Sequence, residues 1–254
     1  MILTDLDETL FTPEKKVSAF SKQILNECKA QGILVGFATS RGINDIRGVV
    51  REVGPDVVIS SGGAYVECRG EVIYESGFTA AEIRAMIEKS RELCGEEVEI
   101  TVDTRHTLYW NSEESIRNFY NGTGSVTYSN YHDYDEVAFK ISVMTYDEVI
   151  ANQIAGCVEG CKSMKFSDIP WYTFSKAGAM KESGVEKLAA HLGIGYEDII
   201  AFGDDYSDIG MLKCCGTGVA MENAILPAKE AADAIAPANT QDGVAVYLKE
   251  HVLG

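Results

Sequence analysis

Four short apolar runs in this chain each break off into a cluster of acids, hydroxyls and glycines, and this repeated pattern restricts the fold more than any other feature. Ile2–Thr4 leads into Asp5-Leu6-Asp7-Glu8-Thr9, and Ile33–Ala38 into Thr39-Ser40-Arg41-Gly42. Val57–Ile59 leads into Ser60-Ser61-Gly62-Gly63, and Ile199–Phe202 into Gly203-Asp204-Asp205-Tyr206-Ser207-Asp208. Continuous rather than alternating hydrophobicity marks strands covered on both faces. Helical stripes lie between them: Phe20, Ile24, Leu25 and Cys28, then Ile43, Ile46, Val49, Val50 and Val53, and later Val185, Leu188, Ala189 and Leu192. Strand alternating with helix predicts an α/β fold with a doubly wound, mostly parallel, Rossmann-like sheet. In such sheets ligands bind beyond the carboxyl ends of the strands, where these four clusters fall.

The middle of the chain has a different grammar. Longer alternating segments (Glu97–Asp103, Thr107–Trp110, Val137–Thr145) are interleaved with helices at Ala80–Leu93 and Asp147–Val158. Strands joined by the short turn Thr104-Arg105-His106 predict an antiparallel α+β layer. The expected organisation is therefore a core of residues 1–77 and 177–254, interrupted by an inserted α+β cap domain over 78–176.

With 22 basic and 39 acidic residues the chain carries 22 − 39 = −17 formal charges. That balance excludes nucleic acid or an anionic membrane as main partner, since both require a basic footprint. No apolar run approaches the ~18 residues of a membrane span, and the first residues lack the basic region of a signal peptide. The seven cysteines are odd in number and none has CxxC spacing. Reduced thiols and a cytoplasmic location are expected.

Asp5, Asp7, Asp204 and Asp208 bring up to four negative charges to one sheet edge, where without a cation they repel and raise one another's pKa. Hard oxygen ligands with few carboxylates suit Mg²⁺. Each Asp taken alone serves equally as a helix cap; their joint placement after buried strands favours the metal. Thr39 is placed to donate to a phosphoryl oxygen, or to cap the helix expected near Gly42. Lys181, just before the Val185–Leu192 stripe, sets an ammonium near the same edge, although a lone Lys is ordinarily a solvated surface group. Gly62-Gly63 either exposes amides to an anion or makes the turn into an Ala64–Tyr74 hairpin.

These residues resemble the motifs of the haloacid dehalogenase superfamily. LTDLDETLF is similar to DxDx(T/V), FATSRG to the second motif, Lys181 in AMKESGVEKLAAHLGI to the third, and IAFGDDYSDIGML to GDxxND. The tail GVAMENA…KEAADAIAPANTQDGVA resembles the Cof-type hydrolases, whose large class IIB cap is inserted between motifs two and three. The resemblance spans nearly the whole chain and is weakest in the cap. It implies a Mg²⁺-dependent phosphatase of small phosphorylated metabolites, sugar phosphates foremost. Asp5 would be the nucleophile that becomes an aspartyl-phosphate, and Asp7 the general acid and base. Thr39 and Lys181 would bind the phosphoryl group. Mg²⁺ would lie on Asp5, the Asp7 carbonyl, Asp204 and Asp208. Leu6, Ser40, Arg41, Gly62, Gly63 and Ser207 would contact substrate.

Two positions depart from the pattern: Glu8 stands where the family mostly has Gly, and Ser207 where it mostly has Asn. Arg105, His106, Trp110 and the Tyr128–Tyr134 cluster are candidates for recognising the rest of the substrate, and equally readable as a surface turn and core aromatics. Two other functions fit the motifs, a phosphomutase of the same superfamily and a non-catalytic phosphate-sensing module. The expected assembly is a monomer or homodimer.

Overall fold

The computed structural model describes residues 1–120, 124–165 and 169–254. In chain order the elements are β1 (Ile2–Thr4), α1 (Ala19–Ala30), β2 (Val35–Ala38), α2 (Arg47–Val53), β3 (Val57–Ser60), β4 (Tyr65–Cys68) and β5 (Glu71–Glu75). Next come α3 (Ala80–Cys94), β6 (Ile100–Thr104), β7 (Leu108–Trp110), α4 (Glu113–Phe119), β8 (Val126–Tyr128), β9 (Ala138–Met144), α5 (Glu148–Ala155), β10 (Cys161–Lys165) and β11 (Trp171–Lys176). The chain ends with α6 (Lys181–Leu192), β12 (Ile200–Gly203), α7 (Ile209–Cys214), β13 (Thr217–Met221), α8 (Leu226–Ala231), β14 (Ala234–Ala236) and α9 (Gly243–Leu248).

Two compact units result. The first comprises Met1–Arg41, Val49–Glu75 and Met180–Gly254 and contains an eight-stranded sheet in the order β14-β13-β12-β1-β2-β3-β4-β5. Every pairing from β14 to β3 is parallel, and the β4–β5 hairpin adds two antiparallel strands at one edge. β1, β2 and β3 are buried at every residue, as their continuous hydrophobicity requires. Leu3, Ala38, Ile59 and Ala201 pack there against Val185 and Leu188 of α6 and Met211 of α7. The four polar clusters follow β1, β2, β3 and β12, so strand order alone gathers them at one edge.

The second unit comprises Gly42–Gly48 and Ser76–Ala179. Its six-stranded sheet runs β10-β11-β9-β6-β7-β8, antiparallel except for β7–β8. Ile83, Met86 and Ile87 of α3 and Ala151 and Ile154 of α5 cover one face, meeting Ile100, Val102, Ile141, Val143 and Phe174. Side chains alternate along a strand, so Thr101, Asp103, Lys140, Ser142 and Thr173 occupy the opposite face. A Thr79–Glu82 capping box starts α3.

The helix expected from about Gly42 begins only at Arg47. Residues before it are held in a turn: Asn44 Nδ2 donates to the Ser125 carbonyl at 2.6 Å and Ser125 N donates to Asn44 Oδ1 at 3.0 Å. Ile43 and Ile46 are buried without being helical.

Candidate active site

In the first unit the backbone stays extended at Asp5 beyond the end of β1, with φ −65° and ψ 166°. Asp5 is only 6% exposed and Lys181, the first residue of α6, only 2%. Lys181 therefore opens its helix rather than preceding it. Its Nζ donates to Asp5 Oδ1 and to Asp208 Oδ1, each at 2.6 Å. Asp208 Oδ2 accepts the backbone N–H groups of Asp204 and Asp205 at 3.0 and 3.1 Å. Asp208 is thus fully engaged, locking the loop after β12 to the lysine. Gly203 makes room for it, since a Cβ there would collide with the Asp208 side chain.

Burial pushes the Asp5 carboxyl up to about 7, with Asp208 adding to the rise and Lys181 opposing it. Asp204 is pushed up to about 6, first by burial and then by Asp208, while Thr9 Oγ1, donating to Asp204 Oδ1 at 2.6 Å, works against the rise. Burial alone would lower Lys181, but the charges of Asp5 and Asp208 outweigh it and hold the ammonium protonated. A buried lysine between two carboxylates is retained because removing it strands two desolvated charges.

Asp7 has other partners. It lies not on the strand but in the turn that follows, with φ −70° and ψ 132°. The Arg41 guanidinium grips it by two hydrogen bonds, Nε to Oδ2 at 2.6 Å and Nη2 to Oδ1 at 2.7 Å. Lys15 Nζ sits 3.2 Å from Asp7 Oδ1 and donates to Glu8 Oε1 at 2.9 Å. Burial pushes Asp7 up, but Arg41 and then Lys15 outweigh it and hold the carboxyl below its usual range. Glu8 occupies the left-handed region at φ +54°, which explains why Gly suits this position. Its carbonyl accepts Asn223 Nδ2 at 2.7 Å, and its carboxylate is reached by Asn239 Nδ2 at 3.3 Å.

Thr39 follows β2 and is 1% exposed. Its Oγ1 accepts the Arg41 N–H at 3.1 Å, which leaves the hydroxyl proton for another acceptor. Gly62 N donates to the Thr39 carbonyl at 3.1 Å, tying the loops after β2 and β3 together. Gly63, at φ +101°, lies against the Met180 backbone, where any Cβ would collide. Its smallness therefore sets the residue preceding Lys181. Ser40 and Ser207 are exposed and Arg41 half-buried. The Leu6 side chain is fully buried, so any substrate contact there falls to its backbone amide. Thr9, Lys15, Asn223 and Asn239 join the predicted set. Thr9 carried a signal, as the last residue of the DxDx(T/V) pattern; Lys15 carried none.

The family model for haloacid dehalogenase-like hydrolases matches residues 2–248. The chain belongs to that family. This haloacid dehalogenase-like hydrolase is 26% identical over 258 residues to the 5-amino-6-(5-phospho-D-ribitylamino)uracil phosphatase YcsE of Bacillus subtilis, covering 100% of the chain and 96% of YcsE. Its fold is similar to that of a haloacid dehalogenase-like hydrolase from Bacteroides thetaiotaomicron, with a TM-score of 0.85, 23% identity and 98% of each chain covered. A subclass IIB sugar phosphatase aligns with a TM-score of 0.79 at 24% identity, over 98% of this chain and 97% of that one. The chain is a phosphoric monoester hydrolase. Among the described residues no helix is long and apolar enough to cross a membrane.

The donor set of this hydrolase fits a hard divalent cation. Carboxylate oxygens of Asp5, Asp204 and Asp208 lie within 4.8 Å of one another. Asp208 Oδ1 and Oδ2 already accept three hydrogen bonds, whereas Asp5 Oδ2 and Asp204 Oδ2 accept none from the described residues. Two hard, buried oxygens with raised proton affinity are what an Mg²⁺ ion would replace protons on. The Asp7 carboxylate stands outside this cluster, which leaves its main-chain carbonyl as the ligand the family pattern implies.

Proposed function

We propose that the chain is a Mg²⁺-dependent phosphatase of small phosphorylated metabolites that works through an aspartyl-phosphate on Asp5. The observation that carries this reading is the buried Lys181 bridging Asp5 and Asp208 at 2.6 Å, which directs one oxygen of Asp5 to the lysine and leaves the other free. Asp5 Oδ2 attacks phosphorus, forming the Asp5–phosphorus bond as the ester oxygen leaves. Asp7 gives its proton to that departing alkoxide, and then as carboxylate takes one from the water that attacks the acyl phosphate and releases Asp5. Lys181 and the Thr39 hydroxyl hold the non-bridging oxygens. Mg²⁺ on Asp5, Asp204 and the Asp7 carbonyl, supported by Asp208, would supply positive charge against the phosphoryl oxygens.

The Arg41 grip gives Asp7 the charge state of the base step, so acting as an acid requires Arg41 to release it when substrate arrives. Arg41, freed in that way, becomes a ligand for substrate oxygens, alongside Ser40, Ser207 and the amides of Leu6, Gly62 and Gly63. Sugar phosphates are the favoured substrate class, with a phosphorylated ribityl chain like that of YcsE's substrate the next to try. A cytoplasmic monomer or homodimer without nucleic-acid partners is consistent with seven free cysteines and a charge of −17.

The deciding experiment is phosphate release from an aryl phosphate and a sugar-phosphate panel, with Mg²⁺, with EDTA, and with Asp5→Asn. Expected are Mg²⁺-dependent release and a loss of about 10⁴-fold or more in the variant, whose thermal melt stays intact. Release from no ester by folded, Mg²⁺-binding protein would sink this reading and favour a mutase or a phosphate-sensing module.

A further inference from the structure

The open face of the second unit's sheet carries a groove of about 440 Å³. Pairing register places Trp110, Thr101, Ser142 and Thr173 in one row across β7, β6, β9 and β11. Met144 and Trp171 form the next row. The two indoles meet edge to face, ring centroids 5.9 Å apart and planes at 90°, making an aromatic corner beside a hydroxyl floor.

The polar inventory of this groove is unusual for a buried surface. Among the described residues Glu99 is the one charged side chain lining it, and each of its oxygens accepts a hydrogen bond: Trp110 Nε1 donates to Oε2 at 3.0 Å and Ser115 Oγ to Oε1 at 2.8 Å. Among the described residues no lysine or arginine lines it, so an anionic ligand would stay uncompensated. Ser142 is only 6% exposed, and its hydroxyl, which makes no hydrogen bond with the described residues, opens onto the groove. Thr173 Oγ1, next in the row, is buried without a partner among the described residues. Buried hydroxyls ordinarily find partners.

We propose that this groove binds a neutral heteroaromatic ring, its face against the indoles and Met144 and its hydrogen-bonding edge on Ser142 and Thr101. Aromatic rings and a thioether favour a flat unsaturated ring. A sugar would need carboxylates or amides for its hydroxyl pairs, and the groove's carboxylate, Glu99, is already engaged by Trp110 and Ser115. The proposal is independent of the phosphatase reading.

The chain has two tryptophans, Trp110 and Trp171, and both line this groove. Indole emission from this chain therefore reports on the groove alone. Nicotinamide and uracil serve as neutral probes, nicotinate as the charged counterpart of the first, and D-glucose as the saturated ring. The expected result is a saturable emission change with at least one neutral heterocycle, about tenfold weaker or absent with nicotinate and D-glucose, and unaltered by Asp5→Asn. By calorimetry Trp171→Leu should weaken binding about tenfold and Ser142→Ala severalfold, with Trp171→Phe retaining it should the leucine variant misfold. Linear, collisional quenching by both heterocycles, equal binding of nicotinate or D-glucose, or indifference to both Ser142→Ala and Trp171→Phe/Leu would each overturn the proposal. Loss of phosphatase activity alone would leave it standing.

Discussion

The two sheets carry buried polarity of different kinds. At the strand ends of the first unit it is mostly charge, and the charges are committed, Lys181 to Asp5 and Asp208, Asp208 to two backbone amides, Asp7 to Arg41 and Lys15, while the Ser60 and Ser61 hydroxyls there have no partner among the described residues. On the open face of the second unit it is mostly neutral hydroxyl, and the buried Thr173 hydroxyl has no partner among the described residues. The contrast follows from cost. A desolvated charge without a counter-charge costs several kcal/mol, so it must be paired within the fold, whereas a neutral hydroxyl can wait unpaired for far less.

The strongest way to break this comparison is to remove Lys181. Lys181→Met should destabilise the metal-free protein by about 3–5 kcal/mol in denaturant melts, because two buried carboxylates lose their counter-ion. The control is Lys140→Met in the second unit. There the side chain is 24% exposed and its ammonium lies 3.8 Å from the one carboxylate of Asp103, whereas the Lys181 side chain is 2% exposed and holds two carboxylates at 2.6 Å. A cost of about 1–2 kcal/mol is expected, and equal costs would erase the distinction.

The pH dependence of stability gives a smaller effect with a definite sign. Asp5 and Asp204 titrate in the folded protein near 7 and 6, above the unfolded value of 3.8. Between those limits the folded state binds more protons than the unfolded state, so metal-free stability should fall as pH rises from about 4 to about 7.5. A cation on the same oxygens removes that loss. Added Mg²⁺ should therefore raise the melting temperature more at pH 8 than at pH 5; an equal shift at both would place its binding elsewhere.

Glu8→Gly should give the smallest change. Glycine relieves the left-handed backbone at φ +54° but forfeits the contacts to Lys15 and Asn239. The two terms are similar, so a net change within about 1 kcal/mol is expected from chemical denaturation.

How far these features were legible depended on whether they were local. Asp5, Asp204 and Asp208 could be read because each follows a buried strand, and a parallel sheet brings such ends together whatever the loops do. The partner of Asp7 could not be read: Arg41 was singled out for substrate, and its grip on Asp7 depends on neighbouring strands β1 and β2 aligning two loops. Lys15 lies in an exposed stretch with no pattern. In the second unit, β10 (Cys-Lys-Ser-Met-Lys) is an edge strand with no apolar alternation, so only its pairing with β11 reveals it. The turn over 42–46 reads as helix because Ile43 and Ile46 are apolar at helical spacing. Hydrogen bonds between Asn44 and Ser125, 81 residues apart, override that periodicity.

The central place of β1 has a consequence for how the enzyme comes into being. β1 pairs with β2, made soon after it, and with β12, which begins at Ile200. Lys181 lies 176 residues beyond Asp5 in the chain. During synthesis the strand that carries Asp5 is made long before β12 can flank it. The carboxylates and their ammonium meet only when the chain beyond Lys181 is available, a high-contact-order step of the sort that proceeds slowly. An incomplete nascent chain thus holds Asp5 without its neighbours and has no assembled centre with which to act.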